Sequence, residues 1–333
     1  MNALLEVRSL TVLRGEDPHI TSLDALPSLL RAGDLLVLND AATFPGSISF
    51  MHEGQQLEVR LFEKIPGGFR AVLFGAGDFH TRTEDRPAPP RLAVGARLQL
   101  APRLQAMISD VDQTSPRLIT LNFALTDELL WRAVYAIGKP IQYAHQPKQL
   151  PLWSVQNVFS ERPWAAETPS AAHHLTFERL SALEKHGVQL ATLTHATGLS
   201  STGDEVLDAA LPWPERYSIP AETWRRVQKA ERVVAVGTSV MRALEAMGVL
   251  PDPLPEGDGA LSGIATGSIG PETKLQVVDA LLTGIHVPGE SHYRLLGSLL
   301  DEQTLRAATD LSHREGLRGH EFGDVALFER TGH

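Results

Sequence analysis

Two hydrophobic periods divide this chain, and each admits a different architecture. Between Ser47 and about Leu121, short stretches alternate apolar and polar residues, at 57–63 (LEVRLFE), 68–75 (GFRAVLFG), 96–102 (ARLQLAP) and 117–123 (RLITLNF). Turn-forming clusters separate them, at 65–68 (IPGG), 83–90 (TEDRPAPP) and 109–116 (SDVDQTSP). A period of two, broken by such turns, predicts a small antiparallel β-barrel or sandwich. Outside this stretch the rhythm changes. Residues 35–38 (LLVL) follow a turn at Ala32-Gly33-Asp34 and are ended by Asn39 and Asp40. A continuous apolar run of that length reads as a strand buried on both faces.

After Asp127, helix and strand signals alternate. Helices are predicted over 126–135 with Thr126 as N-cap, over 176–186 ended by Gly187, and over 220–230 opened by Pro220. Strands are predicted over 188–193 and 232–237, the second turning directly into a helix over 239–248. This alternation predicts an α/β fold with a largely parallel sheet. The expected organisation is therefore a discontinuous main α/β domain, 1–46 with 126–333, carrying an inserted antiparallel β-barrel domain, 47–125. A length of 333 residues exceeds what one hydrophobic core usually serves. The one long interruption is the Pro-rich segment 251–259 (PDPLPEGDG).

Composition removes several classes of function. With no cysteine, disulfides, thiolate catalysis and cysteine zinc sites are impossible. A net charge of −10 and a pI of about 5.7 argue against a surface that binds nucleic acid everywhere, although a local basic patch remains compatible. The N-terminal MNALLEVRSL lacks the pattern of a secretory signal, and no apolar run approaches the ~18 residues of a membrane span. A soluble cytoplasmic protein without membrane partners is expected, as a monomer.

Five places could carry chemistry. At Gly237-Thr238-Ser239 a buried strand ends and a helix begins, so backbone N–H groups and a positive helix end point outward and suit a carboxylate or phosphate. The plainer reading is that Thr238 or Ser239 caps the helix. In 277–292 (VVDALLTGIHVPGESH), Gly284, Pro288 and Gly289 break any regular helix, which puts His286 on a loop or strand end and makes Ser291 a helix cap. A histidine there suits proton transfer, the bland alternative being a hydrogen-bonded structural residue. His173 and His174 precede a helix. Adjacent side chains diverge, and no carboxylate stands at ligand spacing, so no metal is expected. The polar loop 194–205 (THATGLSSTGDE) could contact a polar ligand, and the tail 320–328 (HEFGDVALF) reads as a closing strand.

Taken in order, these segments resemble one family. Residues 35–40 (LLVLND) with Pro45, then 140–143 (PIQY), 155–160 (VQNVFS) and 169–178 (PSAAHHLTFE), are similar to its N-terminal and central motifs. Residues 235–245 (AVGTSVMRALE), 277–291 and 323–328 (GDVALF) are similar to its later ones. The family is that of the S-adenosylmethionine:tRNA ribosyltransferase-isomerases of queuosine synthesis. The pattern departs from it in places. Ala41-Ala42-Thr43 and Pro45-Gly46-Ser47 lack two arginines, Ala172 and Leu175 replace a glycine and an aromatic, Gly284 replaces an asparagine, and His195 is displaced by one residue relative to Gly198. A divergent branch is indicated.

The resemblance implies an α/β domain with an inserted barrel. It implies a reaction in which S-adenosylmethionine is cosubstrate and donates its ribosyl unit to a 7-aminomethyl-7-deazaguanine base in tRNA. That unit rearranges to the epoxycyclopentane of epoxyqueuosine while adenine and methionine leave, and no metal takes part. On that basis His286 and His174 are candidates for proton transfer, with Asp279 positioning or balancing charge. The turn at Gly237, Thr238 and Ser239 would meet the methionine carboxylate, Arg242 would contact an anion, Glu215 would position or balance charge as Asp279 does, and Ser291 would also bind the cosubstrate. Two other functions stay open: a relative that uses S-adenosylmethionine with a small-molecule acceptor, and a noncatalytic RNA-binding or regulatory relative.

Overall fold

The computed structural model describes residues 7–249, 259–319 and 321–331. The Pro-rich segment 251–259 and the tail beginning at His320 therefore fall partly outside the described residues.

The strands, in chain order, are β1 (Arg8–Val12), β2 (His19–Ser22), β3 (Leu35–Asn39), β4 (Ala41–Thr43), β5 (Ser47–His52), β6 (Gln55–Ile65), β7 (Gly68–Phe74), β8 (Arg97–Ala101), β9 (Leu104–Val111), β10 (Leu118–Phe123), β11 (Arg162–Ala165), β12 (Gln189–His195), β13 (Glu215–Pro220), β14 (Val233–Val236), β15 (Ala260–Ala265), β16 (Ala280–Gly284) and β17 (Val325–Glu329). The helices are α1 (Leu26–Leu29), α2 (Asp127–Ile137), α3 (Phe177–Lys185), α4 (Glu205–Ala209), α5 (Ala221–Lys229), α6 (Thr238–Gly248), α7 (Ser291–Leu296) and α8 (Glu302–Arg314).

One sheet has nine strands in the order β15-β13-β12-β3-β14-β16-β17-β1-β2. Its centre, β12-β3-β14-β16, is parallel. The flanks are not: β13 runs antiparallel to both β12 and β15, and β17 antiparallel to β16. The expected parallel sheet thus describes the middle of a mixed one. The reason lies in the connections. Between β16 and β17 the chain makes two helical traverses, α7 and α8, and so re-enters the sheet at the end it left. Between β12 and β13 only a loop and the short α4 intervene, with the same result.

Both faces of the central strands are covered, which is why they read as unbroken apolar runs. Leu35 and Val37 of β3 pack with Trp224, Val240, Leu244, Leu295 and Leu305 from α5 to α8. Leu36 and Leu38 pack on the other side with Leu26, Leu180 and Leu183 around α1 and α3. The start of α2 is capped as the sequence predicts, and that of α3 by the first residue of its predicted span. Thr126 accepts from Leu129 N at the start of α2, and Thr176 from Arg179 N at the start of α3.

A second sheet, β5-β6-β7-β10-β9-β8, is wholly antiparallel and nearly closes on itself. Its core holds Leu57, Val59, Leu61, Phe69, Ala71 and Leu121. Leu130 and Val134 of α2 pack into this core rather than on the large sheet, although the sequence reading groups residues from 126 with the main domain. Glu58 and Arg60 occupy positions of β6 that alternation assigns to solvent, yet they are 3% and 1% exposed. Glu58 accepts from Arg60 Nε at 2.9 Å and Ser47 Oγ at 2.7 Å, and pairs with Arg86. Both guanidiniums also lie over the Phe74 ring.

Candidate active site

A cavity of about 920 Å³ opens where the barrel meets the large sheet. Its walls come from the carboxyl ends of β12, β14 and β16, the place where open α/β sheets bind ligands. The barrel side supplies residues 82–84 and the segment 143–145. The volume falls within the roughly 300–1,000 Å³ of small-molecule sites.

The first wall is the start of α6. Gly237 has φ of +92° and ψ of 151°, a conformation almost restricted to glycine. Its N–H donates to Leu282 O at 2.8 Å, which ties the turn to β16. Neither Thr238 nor Ser239 caps the helix: Gly237 is the N-cap residue, and no side chain accepts there. Ser239 Oγ instead accepts from Asn39 Nδ2 at 3.3 Å. Asn39 also donates to His195 O and accepts from His195 N and Ala41 N, so one amide fixes the ends of β3, β12 and α6 together. The uncapped N–H groups of an eleven-residue helix therefore face the cavity, ready for an anionic group. A Cβ on Gly237 would come within 3.3 Å of Ala171 Cβ. Gly237→Ala is expected to cost about 1–3 kcal/mol, read as a lowered urea midpoint.

The second wall is the pair Arg242–Glu215. The side chains are 6% and 14% exposed, so water screens them little. Glu215 also accepts from Gly198 N at 2.6 Å, and Arg242 reaches the carbonyls of Trp213 and Ala265. Burial pushes the Glu215 carboxyl above its ordinary range, and Arg242 opposes that shift. Arg242 is thus held by protein acceptors, and its charge offsets that of Glu215. His195, fully buried, lies 3.7 Å from Glu215 and is held near pKa 3 by burial and by Arg242.

The third wall follows β16. His286 lies in the cavity, with Nε2 2.9 Å from Thr283 Oγ1 and its ring 5.1 Å from that of His292. Burial and His292 push its pKa down to about 3. At neutral pH it is an uncharged imidazole, able to accept or donate a hydrogen bond but a poor acid. Ser291 also lines the cavity. It is not a cap: Glu290 holds the N-cap position of α7 and makes no side-chain cap bond, because the turn at Gly289 shifts the helix start by one residue.

Two sequence candidates lie elsewhere. Asp279 sits at the start of β16, the end opposite His286, since seven extended residues span roughly 23 Å. Its carboxylate accepts from Val233 N at 2.8 Å and pins β14 to β16. His174 donates through Nε2 to Gly323 O at 2.9 Å and supports the turn into β17, and it does not line the cavity. His173 packs edge-on against Phe322. Among the described residues no group of three or more His, Asp or Glu is placed to hold a metal ion. Among them, too, no helix is long and apolar enough to cross a membrane.

The structure adds Glu167, which the sequence did not single out, and gives it partners from two segments that it did, the motif 140–143 and the polar loop 194–205. Glu167, Tyr143 and Ser200 come from three distant segments and meet at the cavity wall. Tyr143 donates its hydroxyl to Glu167 Oε1, and Ser200 N donates to the same oxygen at 2.8 Å. Glu167 stands two residues before the motif 169–178, and that proximity was the only signal available.

A mixed α/β sheet joined to a small antiparallel barrel, with a cavity between them that presents an uncapped helix start, defines an α/β protein with a pocket of small-molecule size. The chain belongs to the queuosine biosynthesis protein family, whose model matches residues 5–328. It is 31% identical to the S-adenosylmethionine:tRNA ribosyltransferase-isomerase of Thermus thermophilus, over 91% of this chain and 86% of that one. It is 30% identical to the protein of the same name from Rubrobacter xylanophilus, over 94% and 87%. A solved S-adenosylmethionine tRNA ribosyltransferase from Thermotoga maritima shares the fold, with a TM-score of 0.50, 21% identity and coverage of 97% and 92%.

Proposed function

We propose that this chain transfers the ribosyl unit of S-adenosylmethionine to a 7-aminomethyl-7-deazaguanine base in tRNA and isomerises it, giving epoxyqueuosine with release of adenine and methionine. The observation that carries this reading is the near-full-length likeness to relatives named for that reaction, joined to one cavity containing the α6 start and the residues after β16. The methionine carboxylate would meet the N–H groups at Thr238 and Ser239, where the helix end favours negative charge. The Glu215 carboxylate, when not wholly neutralised by Arg242, would favour the sulfonium. His286, as neutral imidazole, would hydrogen-bond the nucleoside rather than protonate it. A tRNA acceptor would suit a cytoplasmic enzyme.

The test is adenine release, followed chromatographically with S-adenosylmethionine and tRNA bearing the aminomethyl base. Release that requires the RNA is expected. Release with a free deazapurine alone would replace tRNA by a small-molecule acceptor, and binding of S-adenosylmethionine without release would leave a noncatalytic relative.

A further inference from the structure

Transfer of a ribosyl unit from S-adenosylmethionine must break the bond between C1′ and adenine N9. The purine leaves well only if it receives a proton as the bond breaks. The cavity must therefore hold an acid that is protonated near neutral pH and has a free oxygen or nitrogen facing the substrate. His286 is uncharged and a poor acid. Glu215 is occupied by Arg242 and Gly198 N–H.

Glu167 has a different setting. Its Oε1 is clasped by the Tyr143 hydroxyl, by Ser200 N at 2.8 Å and by Ser200 Oγ at 3.3 Å. Among the described residues nothing hydrogen-bonds Oε2. The backbone carbonyl of Glu167 is itself fixed by Thr197 Oγ1, so the carboxyl is held by groups on both sides of the loop 196–201. The other charges near it are Arg60 of β6 and Glu321, the latter paired with His145.

On the reading of function above, we infer that Glu167 is the proton donor to departing adenine, with Tyr143 and Ser200 as the residues that position it. As C1′–N9 breaks, its electron pair goes to the purine. The proton on Glu167 Oε2 moves to a purine ring nitrogen, so adenine leaves neutral. The acceptor's nucleophile supplies the electron pair that the ribosyl carbon lost, and its proton returns to the carboxylate. Two features suit the residue to this step. Burial raises the carboxyl to about 7 against the Tyr143 hydrogen bond, with Glu321 adding to the rise. Burial and Glu167 push Tyr143 well above 10, so it remains a phenol and a donor.

The sign of the pH dependence follows. A required acid is lost as pH rises through its pKa, so wild-type single-turnover adenine release should fall on the alkaline side of about pH 7. Glu167→Gln should lower the rate by about 10²–10⁴-fold and flatten that limb, while calorimetric affinity for S-adenosylmethionine stays within about threefold. Tyr143→Phe removes a bond that favours the ionised form, so its alkaline limb should move to higher pH. That shift is what a merely structural role would not produce, and it decides the matter even if Glu167→Gln fails to bind substrate. A Glu167→Gln enzyme with wild-type rate and profile overturns the assignment alone, as does an unmoved limb in Tyr143→Phe. Absence of adenine release by the wild type overturns the functional reading and the assignment with it.

Discussion

Arg242→Met is expected to stop adenine release and to lower stability by about 3–5 kcal/mol, because it leaves the buried Glu215 carboxylate without its cation. The remaining donor, Gly198 N, offers one hydrogen bond. Burial already raises Glu215, and without Arg242 the rise is larger. A carboxyl raised in the folded state stabilises it fully below the unfolded pKa, and that contribution is lost as pH rises through the folded value. The penalty of Arg242→Met should therefore be larger at pH 8 than at pH 5, read as urea midpoints at each. Adding Glu215→Gln should recover much of the stability, since it removes the orphaned charge. It should not recover activity, because both side chains line the cavity. Equal penalties at the two pH values would mean that Glu215 is already neutral in the wild type, and the ion pair would have to be abandoned.

Glu58→Gln is expected to cost a similar 3–5 kcal/mol, this time in the barrel. Glu58 is the carboxylate between Arg60 and Arg86, and their side chains are 1% and 0% exposed. Remove its charge and two buried guanidiniums face each other. Burial alone would raise Glu58, but Arg60 and Arg86 outweigh it and hold it below the ordinary range. Stability from a depressed carboxylate is present above its unfolded pKa and lost as pH falls through the folded one. Wild-type protein should accordingly lose stability in acid through this group, and Glu58→Gln should lack that component. Replacing all three residues by methionine should restore most of the loss, since well-packed apolar groups often match a buried ion cluster. A urea midpoint unchanged in Glu58→Gln would show that the cluster adds nothing. The cluster also bears on the active site, because Arg60 lies 5.0 Å from the Tyr143 ring and donates to Gln142 O.

That cluster shows where reading by period stops. In 57–63 the polar residues alternate as they would on a solvated face, and β6 forms where alternation puts it. Yet Glu58 and Arg60 are covered, because residues 75–86 and 142–143 fold over that face. Alternation reports which residues share a face of a strand. It does not report what lies on that face. β5 and β9 escape for a different reason: Ile48 and Phe50 of β5 and Leu104, Ala106 and Ile108 of β9 alternate into the core, but the exposed Met51 and Met107 put apolar residues on the solvent half of the pattern and blur it.

The candidate site was legible to the same extent. The turn at Gly237 and the interrupted segment around His286 were visible, because both break local periodicity and glycine at a strand end permits one backbone shape. Arg242 and Glu215 were visible only through family motifs, which carry residue identities but not partners. His174 and Asp279 shared those motifs and yet sit on turns and strand starts where they hold backbone in place. Glu167 left almost no mark, although it occupies the cavity wall with Tyr143 and Ser200.

From sequence alone came many of the elements, the Thr126 cap, the division into a βα rhythm and a period-two barrel, and the family. These depend on propensities and spacings of a few residues, and such forces act within one segment. Tertiary structure alone decided that the sheet is mixed, that Glu58 is buried between arginines, and that residues from 143, 167, 200, 215, 242 and 286 share one cavity. Those outcomes depend on which remote surfaces come together to exclude water, and the burial that results is what turns a carboxyl or an imidazole into a group with an altered affinity for protons.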